Sequence, residues 1–411
     1  MNSIITKKTL LFVASSIGYK NGGESKAAID IVLVLCQLNI PGLRIVVISK
    51  ARPEIPYDKY DIPSSSRPRW LECWAGEPIK PVFNKYFISK FFRWFVNLIR
   101  NIKTLYQIKR LHPDIIIGNS INSLKFMEEC YNYNCSKRAI VLHNAPEKYR
   151  GTFSEAEYKG KFEKYLNHLK EIPIWICVSK IVLDKWRLLD SQKDRKDFFI
   201  PNHCDEYKVK QLMKNDRLTI RRKLGLPCDK YVVVCPASIQ YRKGQDFLVN
   251  NIEQLVKGIP SLQILLIGPV VTELKGGDIT RLISESSFAT RMKLLYNREN
   301  ILEYIYAADM VVLPTRSECL PLVILESMAL KTPIIATNVD GIPEMVENEV
   351  SGLLVSPDNS DELIKAFSRM YNSPEERNQF VERAFERYWS FFSRERNKQL
   401  WRKAILELLE H

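Results

Sequence analysis

A chain of 411 residues is too long for one ordinary domain, and two or three are expected. Its 45% apolar and 10% aromatic content excludes a disordered polymer, and it contains no apolar run of the ~18 residues that a membrane span needs. The net charge of +14, from 61 basic and 47 acidic residues, suits nucleic acid, an anionic membrane surface or a phosphorylated substrate. Nine cysteines are scattered without a Cys-x-x-Cys, which predicts reduced thiols in a cytosolic protein, several of them buried in strands. Five histidines, none spaced at i, i+4, and the absence of Asp-x-Asp give no metal-ligand pattern.

Residues 7–16, KKTLLFVASS, put lysines before an apolar run, as a signal peptide would. The run is short and leads into a loop and a helical pattern, so a first β-strand is the expectation. The loop SIGYKNGGESK (16–26) contains Gly22 and Gly23, which allow positive φ and close backbone approach to a ligand. A plain connecting loop would use them equally well. No G-x-G-x-x-G is present, which weakens a dinucleotide reading.

Between Glu77 and Asp114 no acidic residue occurs, while Lys80, Lys85, Lys90, Arg93, Arg100, Lys103, Lys109 and Arg110 do. Within 82–111, Phe87, Phe91, Trp94, Phe95, Leu98, Ile102 and Leu105 recur at steps of three and four and predict one helical stripe. The stripe fits an interfacial helix on an anionic membrane, and equally a helix packed on its own sheet.

Strands are predicted at 9–14, 44–49, 114–118, 138–142, 173–178 and 197–200, then at 230–236, 262–268, 310–314, 333–337 and 352–355. Helical patterns alternate with them, the signature of βαβ units and parallel sheets. Two series result, separated near Pro201–Asp205. His143 ends the strand 138–142, at the end of a sheet where ligands bind. The alternative is a loop histidine satisfied by hydrogen bonds. The second series opens into PASIQYRKGQDFL (236–248), a loop that carries Lys243. Arg242 is adjacent and either joins it or points away.

Further on, SECLPLVILESMALKTPIIATNVDGIPEMV (317–346) carries Glu318 and Glu326 on either side of a helix start at Pro321. The unpaired amides of such a start favour anions. Cys319 has no adjacent cation to lower its pKa and is not a candidate nucleophile. The last residues, 375–411, are helical and charged, marked by Phe380, Phe385, Trp389, Phe391 and Trp401.

The stretch 308–346 resembles the retaining glycosyltransferases of sequence family 4: the approach ADMVVLPTRSE, the E-x7-E pair Glu318/Glu326, and the following strand and Gly341–Glu344 turn all match. Lys243-Gly244 matches the family's Lys-Gly element, and Pro201–Asp205 its turn closing the N-terminal domain, with His203 in place of glycine. The resemblance is strong over 230–355 and loose over 1–200.

It implies an α/β chain of GT-B fold, with two Rossmann-like domains facing across a cleft. The N-terminal acceptor domain would be 1–202, joined by a crossing helix at 388–411, and 203–387 the nucleotide-sugar domain. Lys243 would bind the donor diphosphate, with Arg242, Ser238 and the amides of Leu322 and Val323 nearby. Glu326 would hold the ribose, and Glu318 and His143 would lie at the transferred sugar. Gly22 and Gly23 would line the cleft, and Ser179 would face it.

Two departures stand out. Ala237-Ser238 replaces the upstream Gly-Arg of many relatives, and Cys319-Leu320-Pro321 replaces Gly-Phe-Gly. The expected reaction moves a sugar from a nucleotide diphosphate to a hydroxyl of a glycan or lipid-linked acceptor, with retention and without metal or other cofactor. Front-face attack, with the leaving phosphate helping to deprotonate the acceptor, is the mechanism the family implies. A role in polysaccharide or glycoconjugate synthesis is implied, in the cytoplasm or peripherally at the inner face of the membrane. The alternatives are a sugar-nucleotide epimerase or hydrolase of the same fold, or a non-catalytic nucleotide- or nucleic-acid-binding protein.

Overall fold

The computed structural model describes residues 8–14, 23–49, 55, 57–72, 106, 108–124, 127, 137–146, 155–190, 195–270, 279–296 and 298–410. The chain divides into two compact units. The first comprises Met1–Val178, Val182–Ile200 and Asn397–His411, and the second Ser179–Ile181 and Pro201–Arg396. Of the residues 388–411 expected to cross back, 388–396 belong to the second unit. Gly22 and nearly all of the basic segment 82–111 lie outside the described residues.

The first unit is built on a seven-stranded parallel sheet. Its strands are β1 (Lys8–Ala14), β2 (Leu43–Ser49), β3 (Arg69–Glu72), β4 (Ile115–Asn119), β5 (Lys137–Leu142), β6 (Ile174–Cys177) and β7 (Lys196–Phe199), ordered β3-β2-β1-β4-β5-β6-β7. Central β1 and β4 are apolar on both faces and almost fully buried, as a parallel sheet covered by helices demands. Leu10 pairs with Ile45 on one side and Ile115 on the other. The C-terminal helix, Arg394–Glu410, is tied in by Lys137 donating to Leu409 O and Arg402 to Leu38 O. Trp401 is fully buried there, whereas Phe391, an apolar marker in the sequence, is exposed with the Arg387 guanidinium over its ring.

The second unit has a six-stranded parallel sheet. It contains β8 (Tyr231–Pro236), β9 (Leu262–Ile267), β10 (Met292–Leu295), β11 (Met310–Leu313), β12 (Ile334–Thr337) and β13 (Leu353–Val355), ordered β10-β9-β8-β11-β12-β13. Alternate residues of β8 and β9, among them Val233, Ile264 and Leu266, form its core with Leu248, Leu255 and Phe367 of the covering helices. The chain runs from β8 outward to β10, then returns to the other side of β8 with β11. The strand order therefore reverses between β8 and β11, and the loops leaving their carboxyl ends diverge around a crevice that binds ligands in such sheets.

Eleven strands fall where the sequence places them within a residue or two. The two that escape prediction, β3 and β10, are both edge strands. An edge strand can keep charged residues such as Arg69 or Lys293 and loses the continuous apolar run that marks its neighbours.

Where the chain enters and leaves the second unit, a buried polar cluster forms. Tyr388 donates to Glu206 Oε1 at 3.1 Å and accepts from Cys204 N at 3.3 Å, and Glu206 also accepts from Arg394 N. Burial pushes the Tyr388 phenol well above its ordinary pKa, so it remains a donor at any ordinary pH.

Candidate functional site

Three of the residues the sequence singles out, Arg242, Lys243 and Glu318, meet at the β8/β11 crevice. After β8, a tight 3₁₀ turn, Tyr241–Lys243, presents Arg242 and Lys243 together. Adjacent loop residues often point apart, but here both reach the same acceptor. Arg242 Nη1 donates to Glu318 Oε2 at 2.9 Å, and Lys243 Nζ donates to Glu318 Oε1. Glu318 comes from the loop after β11, so the ion cluster bridges the two loops across the reversal point.

Gly244 makes this turn possible. Its φ of +71° is in the left-handed region, and an added Cβ would lie 1.9 Å from Pro314 O. A non-glycine residue would drive the two loops apart. From the other side, Asp340 Oδ2 accepts from Glu318 N at 2.9 Å and from Ser317 Oγ at 2.8 Å. Gly341 packs so closely that a Cβ would meet Cys319 O at 1.8 Å. The backbone carrying Glu318 is thus fixed by the β8 loop and by the turn after β12.

Burial opposes ionisation of Glu318, but the Lys243 and Arg242 cations prevail and hold its carboxyl down at about 2. Burial pushes the Lys243 ammonium below its ordinary value, against the pull of Glu318. Both cations thus share the one Glu318 carboxylate in a largely desolvated place. Near Lys243, burial pushes the Cys235 thiol up to about 12, so it is inert.

The helix Leu322–Ala329 follows, with Pro321 at its N-cap rather than in its first turn (φ −68°, ψ 124°). Proline has no side chain to cap the first amides, so those of Leu322 and Val323 are not capped by it. Glu326 sits one turn into this helix and is buried, exposed by only 4%. Ser238 lies half-buried after β8, its hydroxyl accepting from Gln240 Nε2 at 2.6 Å.

Other predicted residues have partners of their own. Ser179 is buried and donates to Glu344 Oε1 at 2.7 Å, and the same carboxylate accepts from Lys180 N and Ile181 N. His143 belongs to the first unit, where Nε2 lies 2.8 Å from Asn119 Oδ1, joining the carboxyl ends of β4 and β5. Beside it Ser120 holds a strained φ of +86°. Gly23 opens the helix Gly23–Cys36 in the same unit.

Arg316, Thr315, Asp340 and Asp246 surround the cluster and carry no mark in the sequence pattern. A charged loop residue has no periodicity, so nothing distinguishes Arg316 from a solvated arginine until the chain is folded. Among the described residues no group of three or more His, Cys, Asp or Glu side chains is placed to hold a metal ion. No helix there is long and apolar enough to cross a membrane.

The depressed Glu318 pKa has a pH signature. Its contribution to stability is fully present above the ordinary 4.5 and is lost as pH falls toward about 2. The stability gap between the wild type and Glu318→Gln is expected to be wide at neutral pH and to close over that window. Chemical denaturation of both proteins along a pH series checks it, and a gap independent of pH contradicts the ion cluster.

Residues 216–387 match the family described as Glycosyl transferases group 1. A D-inositol 3-phosphate glycosyltransferase of Streptomyces griseus is 29% identical over 167 residues, which cover 39% of this chain. That match spans only 35% of the relative's own length. Among solved structures, Anabaena HepE in complex with UDP superposes with a TM-score of 0.71 at 17% identity, covering 97% of this chain and 100% of that one. Sucrose-phosphate synthase from Thermosynechococcus elongatus gives 0.75 at 20% identity, covering 98% and 100%. The two parallel sheets and the superpositions over nearly the whole chain show the GT-B fold of glycosyltransferases, and within it residues 216–387 of the second unit match the Glycosyl transferases group 1 family.

Proposed function

We propose that the chain is a retaining, metal-independent glycosyltransferase that moves a sugar from a nucleotide diphosphate to a hydroxyl of a glycan or lipid-linked acceptor. The observation that carries this is the Lys243–Glu318–Arg242 cluster at the strand-order reversal, two cations against one carboxylate. A diphosphate offers these two cations further anionic acceptors. Relatives named as glycosyltransferases, and the UDP in the HepE complex, support a nucleotide-sugar donor.

In this reading Lys243 and Arg242 turn from Glu318 to the diphosphate as the donor enters. Fixed cations in a desolvated site stabilise charge developing on the leaving group without reorganising solvent. The amides of Leu322 and Val323 add to that field, and Ser238 lines the same loop. Released from the cations, Glu318 accepts from sugar hydroxyls, while Glu326 accepts from the ribose. His143 acts at the transferred sugar, and Gly22 and Gly23 bind on the donor-phosphate side, next to the acceptor. The leaving phosphate takes the acceptor proton during front-face attack, so no carboxylate nucleophile is required. Synthesis of a polysaccharide or glycoconjugate is the proposed setting, in the cytoplasm.

Lys243→Ala is expected to cost on the order of 2–4 kcal/mol of transition-state stabilisation. Glu326→Ala should chiefly weaken nucleotide binding, and Glu318→Ala should lower turnover more than nucleotide affinity. Titration calorimetry with nucleoside diphosphates and steady-state kinetics measure these, and unchanged affinity in both Lys243→Ala and Glu326→Ala would falsify the donor site.

Activity is expected to survive a chelator, and the product's anomeric configuration by NMR should equal the donor's. Loss of activity in EDTA that manganese restores contradicts a charge balance made by side chains alone. Turnover of the donor with no acceptor present would point instead to an epimerase or hydrolase.

The basic, aromatic stretch 82–111 is proposed to seat the protein on an anionic membrane surface, near a lipid-linked acceptor. Each basic residue at such a surface contributes roughly 1 kcal/mol, so four engaged cations give useful attachment. Co-sedimentation with anionic liposomes is expected at low salt and should weaken at high salt. Equal binding to neutral vesicles, or none at low salt, sinks the membrane assignment and favours a soluble acceptor.

A further inference from the structure

Three cations stand around the β8/β11 crevice, and one of them is already saturated. Arg316 lies two residues before Glu318, with its side chain 17% exposed. Its Nη1 donates to Asp246 Oδ1 at 2.9 Å and to Tyr241 O. Its Nη2 donates to Asp246 Oδ2 at 2.9 Å and Asp358 Oδ1 at 2.7 Å, and its Nε to Asp358 Oδ2 at 2.8 Å. A guanidinium has five N–H donors, and all five have acceptors here. It also lies over the Tyr241 ring, 3.9 Å from the centroid. No donor remains for a ligand phosphate, so Arg316 does not bind one directly.

What it holds is the turn that does. Tyr241 contributes both its carbonyl and its ring to Arg316, and Arg316 N donates to Arg242 O at 2.8 Å. Thr315 Oγ1 lies 3.0 Å from the same Arg242 carbonyl. Asp246 stands in the first turn of the helix Gln245–Asn250, which begins directly after Gly244. The turn 241–243 is therefore gripped at its start, at its middle carbonyl and at the helix that follows. Lysine could not replace this grip, because it offers three donors around a point charge and no planar fork.

We propose that Arg316 is the positioning residue of the donor-phosphate site, acting through the Tyr241–Lys243 turn to hold Arg242 and Lys243 in register. This rests on the donor-site reading above. Asp246 and Asp358 orient the guanidinium and occupy its donors, which keeps it from competing with Lys243 for the incoming anion. A variant that loosens the turn leaves the cations present but misplaced.

The test uses the full chain and inorganic pyrophosphate, a probe that does not depend on the identity of the nucleotide base. Titration calorimetry should show about a tenfold weaker affinity for Arg316→Lys, and an intermediate loss of about threefold for Asp358→Asn, which removes one exposed leg of the grip. In Arg316→Lys combined with Lys243→Met the loss should be smaller than the product of the two single losses, because the arginine acts partly through that lysine. A merely destabilising change lowers the melting temperature but leaves a folded protein with wild-type affinity. Wild-type affinity in a folded Arg316→Lys, or losses that multiply in the double variant, overturns the inference alone. A wild type that binds no pyrophosphate overturns the donor-site reading and this inference together.

Discussion

A carboxylate and two cations, taken out of water together, set the terms for the second unit. Removing charges from water costs several kcal/mol per ion, and only close pairing with further hydrogen bonds offsets it. Glu318 meets that requirement with Lys243 on one oxygen and Arg242 on the other. The pairing demands that two loops from different strands arrive with their backbones in contact. The main-chain contact at Gly244 and the Asp340 carboxylate on Glu318 N answer this demand. Sheet order places the loops on either side of the reversal point, and the ion cluster then dictates how closely they approach.

The same loops show how a charged site is insulated from its own scaffold. Arg316 commits all five donors to two aspartates and a carbonyl, whereas Arg242 and Lys243 share the Glu318 carboxylate. Hydrogen-bond capacity is thus filled at Arg316 and only partly used at Arg242 and Lys243. The distinction lies in the hydrogen bonds of single side chains, and composition alone does not reveal it.

The fold is legible in the sequence wherever burial imposes a pattern. Central strands such as β1 and β8 must be apolar on both faces, and their runs stand out. β3 and β10 are hidden because one side of each is unpaired, which relaxes the pattern to RWLE and MKLL. Lys243, Glu318 and Glu326 are marked by their motif surroundings, but their pairing is not. The family resemblance implies a sugar contact for Glu318, whereas its cation partners are 75 and 76 residues away, a separation that no local periodicity reports. Arg316 is invisible at that level, because its role depends on Asp246, Asp358 and a backbone carbonyl that meet only in the folded chain. Gly22 and nearly all of the stripe at 82–111 lie outside the described residues.

The two close approaches at Gly244 and Gly341 also bear on how the site can evolve. The atom that an added Cβ would strike is a main-chain oxygen in both cases, Pro314 O and Cys319 O. Every residue type carries that oxygen, so no substitution at position 314 or 319 makes room. Loss of either glycine therefore cannot be repaired at the residue it strikes. Ser238, half-buried at the mouth of the same loop, is under no such bar. Substitutions can accumulate there while the main-chain contacts at Gly244 and Gly341 stay fixed.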